Sequence, residues 1–238
     1  MSRPLLAVVA SFVALAAAHA ADPVSPIAPV PAFSWTGFYL GGSLGAVAGR
    51  SRYSYEEPGF DASGTLAATG LSAGLFAGST LRVADRFVLG AESDSDVGTL
   101  SPTKQIVGGW LRARAPLEGS LRVRAGFLVN ERTLAYATGG LAQIYARTDG
   151  ADSQTVVPQF SLVGRHAGYT LGGGIDHALD AHWFARAELR HTWVDPWTVM
   201  SGAYQGIGYE LRRDHTETSL RLGLGYMAGD TATVVRNY

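Results

Sequence analysis

The chain has 238 residues, 30 of them glycine, no cysteine, and a formal net charge of −1 from 19 basic and 20 acidic side chains. That balance argues against a nucleic-acid binder, which carries a basic excess. The missing cysteines exclude a disulfide framework and any thiolate ligand or nucleophile. Glycine at about 13% and charged residues at 16%, against usual values of ~7% and ~25%, suit either a packed core or a chain in lipid.

The first segment is an export signal. Arg3 precedes an apolar run from Leu5 to Ala18, closed by Ala18-His19-Ala20. A basic start, a short apolar stretch and an Ala-x-Ala site predict cleavage after Ala20, leaving 18 basic and 20 acidic residues. The run falls short of the ~20 residues of a spanning helix, and no later stretch supplies them. Residues 21–34 are proline-rich and read as an extended periplasmic linker.

From Trp35 onward the hydrophobic period is two. Phe38, Leu40, Leu44 and Ala46 share one parity, and small or polar residues share the other. The same alternation recurs at Leu71–Ala77, Phe87–Ala91, Leu121–Val129, Tyr169–Ile175, Trp183–Trp193 and Leu220–Tyr226. Residues 133–147 are strand-like with ambiguous facing. Half-buried strands alternate in this way and helices do not. The gaps near 82–86, 130–132 and 178–181 are short; those near 51–68, 95–118, 148–166 and 195–214 are long. Eight strands with short turns at one end and long connections at the other predict an all-β, antiparallel, up-and-down transmembrane barrel over residues 35–227. Residues 228–238 form a C-terminal tail. Within the second long connection, 106–114 is itself strand-like and is expected to extend the sheet above the membrane.

Trp183 and Trp193 share a parity and lie ten residues apart, ~33 Å along a strand. A tilt of ~40° makes that ~25 Å of height, the distance between aromatic girdles. Phe38, Phe87, Phe127, Trp183 and Tyr226 are expected at the periplasmic girdle, Trp193 at the outer one.

Several blocks carry a family resemblance. Ser34-Trp35-Thr36-Gly37-Phe38-Tyr39-Leu40-Gly41-Gly42 follows a proline-rich leader. Further blocks are Val88-Leu89-Gly90-Ala91-Glu92, Leu121-Arg122-Val123-Arg124-Ala125-Gly126, Tyr136-Ala137-Thr138-Gly139-Gly140-Leu141-Ala142 and Gly168-Tyr169-Thr170-Leu171-Gly172-Gly173-Gly174-Ile175-Asp176. Together they resemble the small porin-like outer-membrane immunogenic proteins, among the OmpA-type, opacity-like eight-stranded barrels of Gram-negative bacteria. The resemblance implies an outer-membrane location, surface antigenicity, contact with lipid and lipopolysaccharide, and insertion by the barrel-assembly machinery. The family's terminal aromatic has two counterparts here, Tyr226 and Tyr238.

Catalytic motifs read weakly. Gly41-Gly42-Ser43-Leu44-Gly45 fits the nucleophile-elbow spacing, but no helix follows, so Ser43 reads as a small inward residue. Gly70, Gly74 and Gly78 lie on one face of a strand, where small residues make room for larger neighbours. The lone lysine, Lys104, follows Thr103, so there is no Walker A motif. No cofactor or metal ligand set is recognised; a Ser/His/acid set at the rim near His191 and His215 is the one enzymatic alternative. Asp94 and Asp96, taken as a carboxylate pair, read as a solvated rim.

Strand parity places Glu92, Asp94, Asp176, Glu188 and Glu217 inside, with Arg122, Arg124, Arg186, Arg190 and Arg221. An eight-stranded barrel has room inside for little beyond side chains. Its buried charges must pair. The expectation is a salt-bridge-filled lumen in a non-enzymatic envelope protein of unknown oligomeric state that binds no nucleic acid. The alternative is a narrow passive channel.

Overall fold

The computed structural model describes residues 33–229 except 102, 107–108, 153–158 and 205–206. The signal segment, nearly all of the proline-rich linker, and Tyr238 lie outside the described residues. Nine strands follow in order: β1 Gly37–Glu57, β2 Phe60–Arg82, β3 Phe87–Gly98, β4 Thr103–Ile106, β5 Gly109–Asn130, β6 Thr133–Asp152, β7 Gln159–Ala178, β8 Trp183–Tyr204 and β9 Ile207–Ala228. All pairings are antiparallel, and β3 pairs with β5 to close a ring of eight strands. The four-residue β4 pairs with the upper end of β5, so the strand-like 106–114 segment does extend the sheet.

The register fixes the tilt. From Trp193, one path runs through Tyr169, Leu141, Leu121 and Ser93 to Ala77 on β2. The other runs through Thr216 and Arg50 to Ala67 on the same strand. The two arrivals differ by ten residues, so the barrel has eight strands and a shear of ten. With ~3.3 Å per residue and ~4.8 Å between strands, this shear tilts the strands by about 40°.

The outward face of this ring is apolar. Phe38 is 73% exposed and Leu222 64%, with leucines, valines and alanines between them around the ring. In water such a belt would be untenable; in lipid it is the complementary surface.

All four long connections are mostly strand. β1 and β2 continue as a hairpin to a tight turn at Gly59, whose φ of 88° suits glycine. β6 and β7 pair up to Ala151 and Gln159, and β8 and β9 up to Tyr204 and Ile207. Above the belt neither face meets lipid, so the apolar alternation that reveals a strand disappears while the ladder continues. After Gly98 the chain leaves the sheet, and Leu100 tucks inside, buried.

The lower end is closed by an apolar floor. Phe33 and Trp35, just before β1, turn inward to join Tyr39, Phe76, Val88, Leu128, Leu134, Ala178, Phe184 and Met227. Trp35 Nε1 donates to the carbonyl of Glu131, 3.0 Å away. Glycines opposite the rings make the space. A Cβ on Gly41 would strike the Phe76 ring, and one on Gly225 the Phe184 ring. The same holds for Gly74 against Asp96 and Gly78 against Tyr39, so this glycine series faces the lumen. The ambiguous facing of β6 also resolves here: Leu134, Tyr136 and Ile144 point inward, although apolar. Leu134 is part of the floor, and Ile144 packs with Ala146 and Val194 near the upper end.

Candidate functional site: the charged lumen

Above the floor lies a layer of charges. Arg122 on β5, with a fully buried side chain, is its hub: it meets Glu92 at 2.5 Å, Asp94 at 2.8 Å and Glu188 at 2.9 Å. Arg186 on β8 meets Glu92 at 2.6 Å and grips Asp176 through Nε at 2.8 Å and Nη2 at 3.0 Å. Arg124 reaches Asp176 at 2.8 Å. Arg190 bridges Asp94 at 2.8 Å and Asp96 at 3.2 Å, and Arg221 meets Asp96 at 2.6 Å. Hydroxyls take up remaining acceptor capacity: Tyr39 donates to Glu92, Ser120 to Asp94 and Tyr136 to Glu188. The layer stands directly on the floor, with the Arg186 guanidinium 4.2 Å from the Phe76 centroid and that of Arg124 3.9 Å from the Tyr136 centroid.

Five arginines thus meet five carboxylates at 3.2 Å or closer, and Arg190 also reaches a sixth, Glu118 on β5, at 3.5 Å, which makes one exchange and one addition relative to the sequence expectation. Asp96 belongs to the network and is buried, not a solvated rim residue. It shares inward parity with Glu92 and Asp94, a signal the sequence already held. Glu217 lies higher, level with Thr192, and faces His215 Nε2 at 3.6 Å. Its neighbours there are unlike those of the network, because the Arg190 and Arg221 forks are occupied by Asp94 and Asp96.

Above the network is a second polar cluster that the sequence reading missed. Ser51 Oγ is 2.9 Å from His215 Nδ1 and accepts two N–H bonds from Arg213, from Nε at 3.2 Å and Nη2 at 2.9 Å. Ser51 therefore has its own proton for His215 Nδ1, which leaves the ring proton on Nε2, toward Glu217. Ser51, His215 and Glu217 have the order of a hydrolytic set. The serine, however, is buried and held as an acceptor by a guanidinium, which opposes formation of a nucleophile. His191 is on the opposite face of the wall: it bonds Thr218 at 2.6 Å and packs edge-on against Trp193 at 4.3 Å. The two histidines cannot share a rim site. Ser43, inward on β1, accepts from Arg221 at 2.9 Å. Among the described residues no three His, Asp or Glu side chains are placed to hold a metal ion.

The aromatic residues sit at two levels outside. Phe87 and Phe127 pack edge-to-face at 5.5 Å, as do Trp183 and Tyr226 at 5.3 Å, near the lower rim with Phe38. Trp193 stacks on Tyr169 at 5.3 Å near the upper end of the belt.

The chain matches the outer-membrane protein β-barrel domain model over residues 6–227. It is 31% identical to the 31 kDa outer-membrane immunogenic protein of Brucella melitensis biotype 1, covering 81% of this chain and 87% of that one. It is 28% identical to the 25 kDa outer-membrane immunogenic protein of Brucella canis, covering 89% and 91%. The crystal structure of OprG from Pseudomonas aeruginosa aligns with a TM-score of 0.53 at 13% identity, over 84% of this chain and all of that one, a likeness of fold. A closed ring of eight strands, a charged interior and an apolar exterior thus accompany membership of the outer-membrane β-barrel domain family, and this chain is an outer-membrane barrel of that family.

Proposed function

We propose that this protein is a closed, non-enzymatic envelope barrel that presents its upper strands at the cell surface, in the manner implied by the immunogenic proteins it resembles. One observation carries the reading. The lumen is filled twice over, by the aromatic floor and by the five-arginine, five-carboxylate layer. Two side-chain layers in series, in a barrel with room inside for little beyond side chains, oppose a continuous aqueous path between the ends. The signal is cleaved after Ala20, and the proline-rich leader stays in the periplasm. Phe38, Phe87, Phe127, Trp183 and Tyr226 rest at the inner lipid interface and Trp193 at the outer one, with lipopolysaccharide as the outer-leaflet neighbour. Insertion relies on the barrel-assembly machinery.

Planar-bilayer recording of the purified barrel tests the reading. The expected result is no discrete conductance above the lipid background. Steady, reproducible openings from pure monomer would replace it with the narrow-channel alternative.

A further inference from the structure

Arg213 differs from the network arginines. It is 2% exposed, yet among the described residues no carboxylate lies within salt-bridge distance of it. Its contacts are Ser51 Oγ, Thr148 Oγ1 at 3.2 Å, and the rings of Tyr53 and Trp197, whose centroids are 5.5 and 5.0 Å from the guanidinium carbon. Neutral hydroxyls and aromatic rings do not cancel a buried positive charge, and arginine cannot relieve the cost by losing its proton.

The donors also outnumber the acceptors. Arginine has five N–H groups; three are used here, which leaves one on each Nη nitrogen. Tyr53 is the register partner of Arg213 on β1, and its buried hydroxyl has no hydrogen-bond partner among the described residues. Ser51 cannot supply the missing acceptor, since its oxygen already receives two guanidinium bonds. His215 cannot either: its Nδ1 faces Ser51 and its Nε2 faces Glu217. Among the described residues, one uncompensated cation and three idle donors therefore stand together above the salt-bridge layer.

We propose that the upper lumen contains an anion site, formed by the free N–H groups of Arg213 and the hydroxyl of Tyr53, that takes one small monovalent anion of the halide class. The class follows from the site. A single unpaired cation calls for a single negative charge, and the donors on offer, two guanidinium N–H groups and one hydroxyl, suit a compact ion. A halide also needs no donors of its own, where a larger oxyanion needs a wider cradle. Filling is from the extracellular end, so the site is independent of whether the barrel conducts.

Trp197, beside the guanidinium, gives a direct readout, because iodide quenches indole fluorescence on contact. The full-length mature chain, folded in detergent in halide-free sulfate buffer at constant ionic strength, is titrated with iodide. The expected result is a saturable quenching component on top of the linear collisional one, removed by competing chloride. Trp197→Phe abolishes that component optically. Tyr53→Phe weakens it at least several-fold while leaving the charge in place, and Arg213→Gln eliminates it. If Arg213→Gln does not fold, Tyr53→Phe and chloride competition still decide the matter. Strictly linear quenching in the wild type, or a saturable component unchanged in Tyr53→Phe and insensitive to chloride, overturns the site.

Discussion

Replacing Arg122 by Met removes the hub of the lumen network while nearly preserving its volume. Three carboxylates lose a contact, at 2.5, 2.8 and 2.9 Å. The cost is far below three times that of an isolated pair, because two of them keep another arginine close: Glu92 keeps Arg186 at 2.6 Å, and Asp94 keeps Arg190 at 2.8 Å. Glu188 is left with Arg221 at 3.7 Å and the Tyr136 hydroxyl at 3.0 Å. One uncompensated negative charge therefore settles near Glu188, and breaking a buried pair in this way costs about 3–5 kcal/mol. The outward Leu222→Val, 64% exposed and facing lipid, trades one apolar surface for another and should cost well under ~1 kcal/mol. The assay is urea unfolding of the folded barrel in detergent, followed by tryptophan fluorescence and the heat-modifiable gel shift. Adding Glu188→Gln to Arg122→Met restores neutrality, so the double variant should recover about 1–3 kcal/mol relative to additivity. If Arg122→Met equals wild type, or the double variant is simply additive, the network does not hold the barrel together in this way.

Further outcomes are expected. Trp35→Ala should cost about 3–5 kcal/mol in the same unfolding assay, since it empties the floor around a buried ring, but should not open a conductance while the charge layer stays intact. The Asp180 carboxylate accepts from the backbone N–H groups of His182 at 2.7 Å and Trp183 at 2.8 Å, and these bonds hold its pKa below the ordinary carboxylate value. Its contribution to the turn is therefore full above the unfolded pKa and is lost as pH falls through the lower folded one; faster amide exchange at Trp183 in acid, and at neutral pH in Asp180→Ala, checks this. Because the chain lacks cysteine, single substitutions report topology cleanly: Ser63→Cys should react with an impermeant maleimide on intact cells, whereas Asp85→Cys should react only after the outer membrane is opened.

The belt was legible in the sequence because lipid outside and charge inside impose opposite chemistry on alternate residues. That rule located the strands through Phe38, Leu75, Phe87, Leu121, Leu171, Leu189 and Leu222, all exposed, and the network arginines between them. It failed where its cause was absent. Tyr53, Glu118 and Arg213 lie on strand extensions beyond the belt, where neither face is selected for lipid, so they passed for loop. It also faltered in β6, whose inward Leu134 and Ile144 serve the floor and the upper cluster, and are as apolar as the outward Leu141. The floor itself needed a contact between the leader and the barrel, Phe33 and Trp35 against Phe184, that no local periodicity encodes.

Why the lumen is charged at all follows from what an apolar filling would do. Buried ion pairs add little net stability compared with apolar residues of equal volume. A strand apolar on both faces, however, has no preferred register, and a slip of one residue then exchanges inside for outside at little cost. In β5 such a slip would turn Arg122 and Arg124 toward lipid and Val123 and Ala125 into the carboxylate layer, removing the β5 guanidinium from each of Glu92, Asp94, Glu188 and Asp176 at once. The slip is prohibitive because each arginine grips carboxylates on other strands: Arg122 ties β5 to β3 and β8, and Arg186 ties β8 to β3 and β7. Charges inside also keep every strand short of the ~18 continuous apolar residues that read as a membrane helix, so the chain can pass the inner membrane before it meets the outer one. The network is thus better understood as the device that fixes register and route, with its stability cost on mutation arising from charges left unpaired; the apolar floor supplies closure without needing that specificity, which is why it can be built from rings set against glycines.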